Sequence, residues 1–326
     1  MKVVLVRRQP CSGAFSIEEL FNAVTAAFGP EVEWTNFELG PRRRVLLDAW
    51  RLRRLRADVY HVTGDVNYMT LLLPWRRTLL TVHDIGHYLH GLRGLRRRVY
   101  EWLWLRGPMK AAAKLTAISR ATAQDVVTHL GIAAERIQVI ENCHSPAFRP
   151  VARPFNVDRP TILQVGTRSY KNVPRLVAAL AGIPCRLVLI GPVDDDLQRA
   201  LHEHGIDYQN HVNLTHQQVA QAYVDCDIVS FVSIGEGFGV PIIEAQASGR
   251  PLVTADASPM REVAGPDACL AKPENVAAIR AAVLKIIHDP QYRQRLVDTG
   301  LENARRFSPE QISRQYLALY RDIAFP

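Results

Sequence analysis

The chain has 326 residues, of which 48% are hydrophobic and 22% charged, and a formal net charge of +8. That length fits two domains, and so ordinary a composition excludes a disordered chain, a coiled coil and a collagen-like repeat. The longest apolar runs, 71–75 and 79–82, fall far short of the ~18 residues of a membrane span, and the opening MKVVLV followed by Arg7 and Arg8 does not read as a signal peptide, whose positive residues come first.

In chain order, residues 3–8 read as a strand, 17–28 as an amphipathic helix and 32–39 as a strand. An arginine-rich helix over 45–56 follows, then strands at 58–62, 79–84 and 115–119. A helix over 120–131 is stopped by Gly131, and 136–142 is again a strand. The stretch FRPVARPFNVDRP has three prolines and little periodicity and reads as a linker. The pattern then restarts: strands at 161–166, 186–191, 227–233 and 251–256 alternate with helices at 173–182, 216–226 and 241–249, and helices at 276–289 and 309–323 finish the chain. Strands separated by helices imply parallel sheets covered on both faces. The expectation is an α/β chain of two Rossmann-like domains, 1–152 and 153–306, with residues 307–326 as a helix packing back on the first. Ligands of such sheets bind at the carboxyl ends of the strands, here facing an interdomain cleft.

The charge is lopsided. Residues 1–150 hold 22 Lys and Arg against 13 Asp and Glu, whereas 151–326 hold 18 against 19. The basic excess therefore lies in the first domain, at Arg42–Arg44, Arg51, Arg53, Arg54, Arg56, Arg76, Arg77, Arg93 and Arg96–Arg98, and points to an acidic partner. In GLRGLRRRVYEWLWLRG (91–107) arginines mix with Leu, Val, Tyr and Trp at roughly helical spacing. Such a helix suits an anionic membrane surface; the plainer reading is a domain helix with Val99, Leu103 and Trp104 in the core. No helix-turn-helix, zinc-finger or RNA-binding signature accompanies the arginines, so nucleic acid is not expected as a partner.

Five cysteines (Cys11, Cys143, Cys185, Cys226, Cys269) lie far apart without a CxxC pair, which fits reduced thiols in a cytoplasmic protein. Two other patterns invite a metal: His83, His87 and His90, and Asp194-Asp195-Asp196. The first lacks a carboxylate or cysteine ligand set, and the second stands where Asp caps a helix. No metal is expected.

The strongest local signal is SIGEGFGVPIIEAQASGRPLVTAD (233–256). A strand ends at Ser233, glycines follow at 235, 237 and 239, and Pro241 opens a helix. Such glycines admit a ligand to the backbone, and the helix start offers unpaired N–H groups to phosphate or sugar oxygens. Glu236 on the turn and Glu244 about one turn into the helix can face the same ligand. EGFGVPIIE, with its Glu-x7-Glu spacing, resembles the signature of the retaining glycosyltransferases of family 4 (group 1), which have the GT-B architecture of two Rossmann domains. The resemblance extends to LLTVHD (79–84), to 115–150, to LQVGTRSYKNVPRLVAAL (163–180), to 258–279 and to the closing helix.

That resemblance implies a transferase moving a sugar from a nucleotide diphospho-sugar, a UDP- or GDP-sugar bound without metal, to the hydroxyl of a glycan or lipid-linked acceptor in envelope or capsule polysaccharide or glycolipid synthesis. It implies that Arg168 and Lys171 hold the donor diphosphate, with backbone at Gly237, Phe238, Gly239 and Val240. Glu244 would take the ribose hydroxyls, Glu236 and His83 the transferred sugar, and Gly13 would approach the phosphates. The acceptor falls to the basic first domain, and the protein is expected in the cytoplasm, peripheral on the inner membrane face through the arginines at 93–98. Retention by front-face attack and by a covalent intermediate both stay open. The alternatives are a non-catalytic nucleotide-sugar binding protein, or another GT-B enzyme such as an epimerase or phosphorylase.

Overall fold

A computed structural model describes residues 1–9, 16–91 and 93–325. The chain divides into two compact units, residues 1–143 with 309–326, and residues 144–308. Unit 1 begins with β1 (Lys2–Arg7), α1 (Ser16–Ala26), β2 (Glu33–Glu38), α2 (Val45–Arg54), β3 (Val59–Val62), β4 (Thr78–Val82), α3 (Gly94–Tyr100), α4 (Gly107–Ala111), β5 (Lys114–Ala117), α5 (Arg120–Leu130) and β6 (Ile137–Val139). Unit 2 holds β7 (Thr161–Val165), α6 (Val173–Leu180), β8 (Arg186–Ile190), α7 (Asp195–Glu203), β9 (Asp207–His211), α8 (His216–Asp225), β10 (Ile228–Phe231), α9 (Val240–Ala247), β11 (Leu252–Ala255), α10 (Met260–Ala264), β12 (Cys269–Ala271), α11 (Val276–His288) and α12 (Pro290–Ala304). The last helix, α13 (Pro309–Ala324), belongs to unit 1.

Unit 1 is a six-stranded sheet in the order β2-β1-β3-β4-β5-β6, and every pairing is parallel. Its inner strands β1, β3 and β4 are buried almost throughout because both faces are covered, whereas the edge strand β2 (EWTNFE) is polar and exposed. Val3 and Leu5 pack with Phe21 and Val24 of α1 and with Tyr316 and Tyr320 of α13, while Val4 and Val6 face Leu52, Met69 and Leu80. Each such side chain, taken fully out of water, contributes roughly 1.5–3 kcal/mol. One polar chain crosses the α13 side. Buried His61 bonds the Tyr320 hydroxyl and Thr81 Oγ1, each at 2.7 Å, and Thr81 bonds Thr116 at 2.7 Å. Burial holds the His61 imidazole well below its usual pKa, in the neutral form. The α5 helix is capped by the Ser119 side chain and ends, as its sequence foretells, at Gly131 with φ 61°.

Unit 2 is a second six-stranded parallel sheet, β12-β11-β10-β7-β8-β9. The boundary differs from the expected 152/153 for a physical reason. Phe148 packs edge-on against Tyr223 at 5.2 Å, and the Arg250 guanidinium donates to the Val151 carbonyl at 3.0 Å, so the segment after residue 143 is fastened to unit 2. Several short or polar elements of unit 2 escape a periodicity reading, α10 among them. β9 is a polar edge strand (DYQNH) held to β8 by Asp207, which accepts from Arg186 Nε at 3.0 Å, and β12 has three residues. α12 starts one residue after α11's cap, at Asp289-Pro290. Asp194 caps α7 through Leu197 N at 2.9 Å, a structural use of the Asp triplet. Cys143, Cys185, Cys226 and Cys269 are free and buried, and no helix among the described residues is long and apolar enough to cross a membrane.

The 91–107 segment corrects the core assignment made from its spacing. Val99 and Leu103 are 49% and 48% exposed, beside Leu95 and Trp102, while Leu105 is buried and Trp104 partly so. Residues 101–106 form a π-helix, with Gly107 N bonding Trp102 O. The wider turn breaks the 3.6-residue period on which a helical-face argument depends. Gly107 is required there, since an added Cβ would lie 2.4 Å from the Trp102 carbonyl oxygen.

Candidate active site

In unit 2 the loop after β7 and the turn after β10 meet at the carboxyl ends of their strands. Gly166, at φ 85°, lets the chain turn under Lys171; a Cβ there would sit 2.9 Å from Lys171 Cε. Asn172, at φ 62° and 2% exposed, fixes the loop. Its Nδ2 donates to the carbonyls of Val232 (2.9 Å) and Pro273 (2.6 Å), and its Oδ1 accepts from Arg175 (2.8 Å). The Ile234 N–H donates to the Tyr170 carbonyl at 2.8 Å, a further tie between loop and turn. Asn172 was not singled out in the sequence: asparagine tolerates positive φ, but its place before a helix does not mark it.

Lys171 Nζ lies 2.8 Å from Glu236 Oε1, with both side chains 13% exposed, and 4.6 Å from the centre of the Phe231 ring. The turn carrying Glu236 ends at Gly239, whose φ of 108° caps α9; a Cβ there would meet Ile242 at 3.0 Å and Phe231 at 3.3 Å. Phe238 is buried against Phe307, leaving Gly237 and Val240 at the surface of the turn. Glu244, one turn into α9, accepts from the Tyr223 hydroxyl at 2.7 Å. Burial pushes its carboxyl up to about 7, against the pull of the Tyr223 bond and the charge of Lys171. Lys171, Glu236 and Glu244 thus form one electrostatic cluster. Arg168 stands on the same loop, its carbonyl accepting from Lys171 N at 2.8 Å, with an exposed guanidinium that makes no ion pair among the described residues.

In unit 1, His83 follows β4. Its Nε2–H donates to the Thr63 carbonyl at 2.6 Å, which leaves Nδ1 as an acceptor. Burial lowers its pKa, so the ring is neutral at pH 7. Gly64 makes this approach possible: at φ 142° a Cβ would lie 2.6 Å from the imidazole. His83 and Asp84 line a cavity of about 570 Å³ in unit 1. Gly13 and the His90 side chain lie outside the described residues.

Two parallel sheets wound with helices, one with a cationic loop beside a glycine-rich turn and two carboxylates at its strand ends, define a protein of the doubly wound α/β class. Comparison narrows this. Residues 9–148 match the model of Glycosyltransferase Family 4, and residues 149–303 that of Glycosyl transferases group 1. O-antigen chain mannosyltransferase B of Escherichia coli is 26% identical over 307 residues, 87% of this chain and 78% of that protein. The MMP alpha-(1->4)-mannosyltransferase of Mycolicibacterium hassiacum is 28% identical over 222 residues, 64% of this chain and 53% of that protein. Among solved structures, Anabaena HepE, crystallised with UDP and glucose, superposes with a TM-score of 0.79 at 17% identity, covering 99% of this chain and 100% of that one. The chain belongs to glycosyltransferase family 4, group 1, and has the GT-B fold.

Proposed function

We propose that the chain is a retaining glycosyltransferase that moves a hexosyl group from a UDP- or GDP-sugar to a hydroxyl of a glycan or lipid-linked acceptor, in surface polysaccharide or glycolipid synthesis. The observation that carries the reading is the Lys171–Glu236 pair beside Glu244 at the strand ends of unit 2. A departing nucleoside diphosphate gains negative charge as the glycosidic bond breaks, and preorganised cations and N–H groups stabilise it best where they need not reorganise. Lys171 is held in place by Glu236, and Arg168 on the same loop is free to close on a phosphate. Backbone N–H groups from Gly237 to Val240 add dipoles at the start of α9. Glu244 accepts the ribose hydroxyls, and Glu236, oriented by Lys171, takes hydroxyls of the transferred sugar. His83 of unit 1, with Nδ1 open as an acceptor, is a further candidate sugar ligand.

The acceptor oxygen bonds the anomeric carbon as its bond to the diphosphate breaks, with retained configuration, by front-face attack or through a covalent intermediate. No metal is needed, since Lys171 and Arg168 supply the positive charge. The names of the relatives support the polysaccharide setting: two of those compared are mannosyltransferases, one of an O-antigen chain. Unit 1 holds the acceptor and rests on the anionic cytoplasmic face of a membrane. Exposed Leu95, Val99 and Trp102 beside Arg93, Arg96 and Arg98 support that placement.

The test is incubation with UDP-glucose or GDP-mannose, with and without magnesium, while following nucleoside diphosphate release and the anomeric configuration of the product. Metal-independent release with retained configuration is the expected result. No release and no thermal stabilisation by either nucleotide would overturn the reading.

A further inference from the structure

Unit 2 has a second cavity, of about 380 Å³, lined by Asp227 and Pro251 among others. These two residues immediately precede β10 and β11, so the cavity lies at the amino ends of the strands, opposite Lys171 and Glu236. Three guanidiniums line it from three separate segments: Arg153 from the chain entering unit 2, Arg250 from the turn before β11, and Arg293 from α12. Arg250 is only 7% exposed. It donates Nε to the Tyr223 carbonyl and Nη2 to those of Val151 and Val224, and its Nη1 has no partner among the described residues. Arg293 uses Nη1 on the carbonyls of Ile286 and Ile287 and lays its guanidinium on the Phe155 ring at 3.8 Å, with Nε and Nη2 open. Arg153 makes no hydrogen bond among the described residues and faces Asp227 Oδ2 at 3.9 Å.

The charges of this lining do not balance. Asp227 is its one acid against three arginines, and its oxygens already accept the N–H groups of Asn156 (3.2 Å) and Thr161 (2.8 Å). Nearby Asp225 and Asp289 accept from Gln221 and from the Tyr292 N–H, and neither lines the cavity. Capping the ends of α8 and α11 accounts for the bonds that Arg250 and Arg293 make. It does not account for Arg153, nor for open donors of three cations on one cavity. A phosphate dianion matches the surplus of two positive charges and offers several oxygens to guanidinium forks, whereas a carboxylate brings one charge. Pro150, Phe155, Val297 and Leu301 give the lining an apolar rim that suits a small organic group. We infer that this cavity binds a phosphate dianion, free or as the monoester of a small molecule, between Arg153, Arg250 and Arg293. An occupant fastens the segment entering unit 2 to α12. The assignment stands apart from the transferase reading, whose donor phosphates bind at the other end of the sheet.

The test is isothermal titration calorimetry of the full chain at about pH 7.5, where a phosphate group is mostly dianionic, with inorganic phosphate, glycerol 3-phosphate and acetate at equal ionic strength. A phosphate is expected to bind one site with a Kd of about 1 mM or below, and acetate to bind at least about tenfold more weakly. Arg153→Gln and Arg293→Gln should each weaken phosphate binding about tenfold, the loss of one charge-assisted bond. Where Arg293→Gln does not fold, Arg153→Gln carries the test, since that side chain is 33% exposed and holds no hydrogen bond among the described residues. Arg199→Gln, which removes the same charge from the exposed face of α7, and Arg168→Ala, on the donor loop, should bind phosphate as the parent does. Tighter binding of glycerol 3-phosphate than of inorganic phosphate assigns the site to a monoester, and equal binding assigns it to the phosphate group alone. The inference is overturned if the parent binds neither phosphate, if acetate binds as well as they do, or if Arg153→Gln binds as the parent does. Loss of binding in Arg168→Ala also overturns it, because the phosphate is then held at the donor loop.

Discussion

Lys171 Nζ and Glu236 Oε1 stand 2.8 Å apart and join the loop after β7 to the glycine-rich turn after β10. The pair is mostly withdrawn from water, so removing either partner leaves a charge without its counterion. Lys171→Ala is expected to lower kcat by 10²–10³, about 3–4 kcal/mol of transition-state stabilisation, by analogy with loss of one oxyanion donor. Arg168→Ala, which breaks no ion pair among the described residues, should lower kcat with little change in thermal stability. Steady-state rates alongside melting curves separate the two. Unchanged turnover in both variants would remove the diphosphate assignment.

The Glu244 carboxyl, pushed up to about 7, makes nucleotide binding sensitive to pH. An ionised carboxylate offers both oxygens to ribose hydroxyls, so affinity for UDP or GDP should rise between about pH 6 and about pH 8. The free protein runs in the opposite direction. The folded state holds this proton more tightly than the unfolded chain, so the group's contribution to stability is complete below about 4.5 and is lost as pH rises through about 7. Glu244→Gln should flatten both profiles. Calorimetric titration of parent and variant across that range checks the sign, and parallel curves would rule the carboxyl out of the ribose site.

The residues legible in the sequence are those whose type alone carries the geometry. Gly239 must be glycine at φ 108°, Pro241 can only open a helix, and the apolar runs of β1 and β10 can only be central parallel strands. Glu236 and Glu244 could be paired by spacing because one turn and one helix separate them. Lys171 could be placed near them only through resemblance, since its partner lies 65 positions away. Asn172 carried no usable signal. Asparagine is common in turns, and what marks this one, a three-way anchor, exists only once distant carbonyls are assembled. The outward turn of Leu103 was hidden for another reason: a π-helical segment has no period that a sequence window detects.

Asn172 should prove costly to replace. Asn172→Ala removes two donated bonds, leaves the buried carbonyls of Val232 and Pro273 without this donor, and places a Cβ-bearing residue without local side-chain bonding at φ 62°. The combined loss is expected to be about 3 kcal/mol or more. Asn172→Gly, which relieves only the backbone strain, should recover about 1 kcal/mol of it. Urea unfolding of the three proteins measures the ladder. Equal stability of the alanine variant and the parent would mean that the loop is held elsewhere.

The membrane placement of unit 1 makes a quantitative demand on particular arginines. Arg97 stacks on Tyr88 at 4.4 Å and is committed to the fold, whereas Arg93, Arg96 and Arg98 are exposed beside Leu95, Val99 and Trp102. Basic residues near an anionic surface contribute about 1 kcal/mol each, so replacing these three with serine should weaken vesicle binding by about 3 kcal/mol, on the order of 100-fold. Because the attraction is screened, the gap between parent and variant should narrow as salt rises. Trp102→Ser removes the apolar anchor instead, and its loss should persist at high salt. Co-sedimentation with phosphatidylglycerol-containing and neutral phosphatidylcholine vesicles measures both effects. A parent protein that fails to sediment with either kind leaves those exposed side chains without a bilayer to explain them.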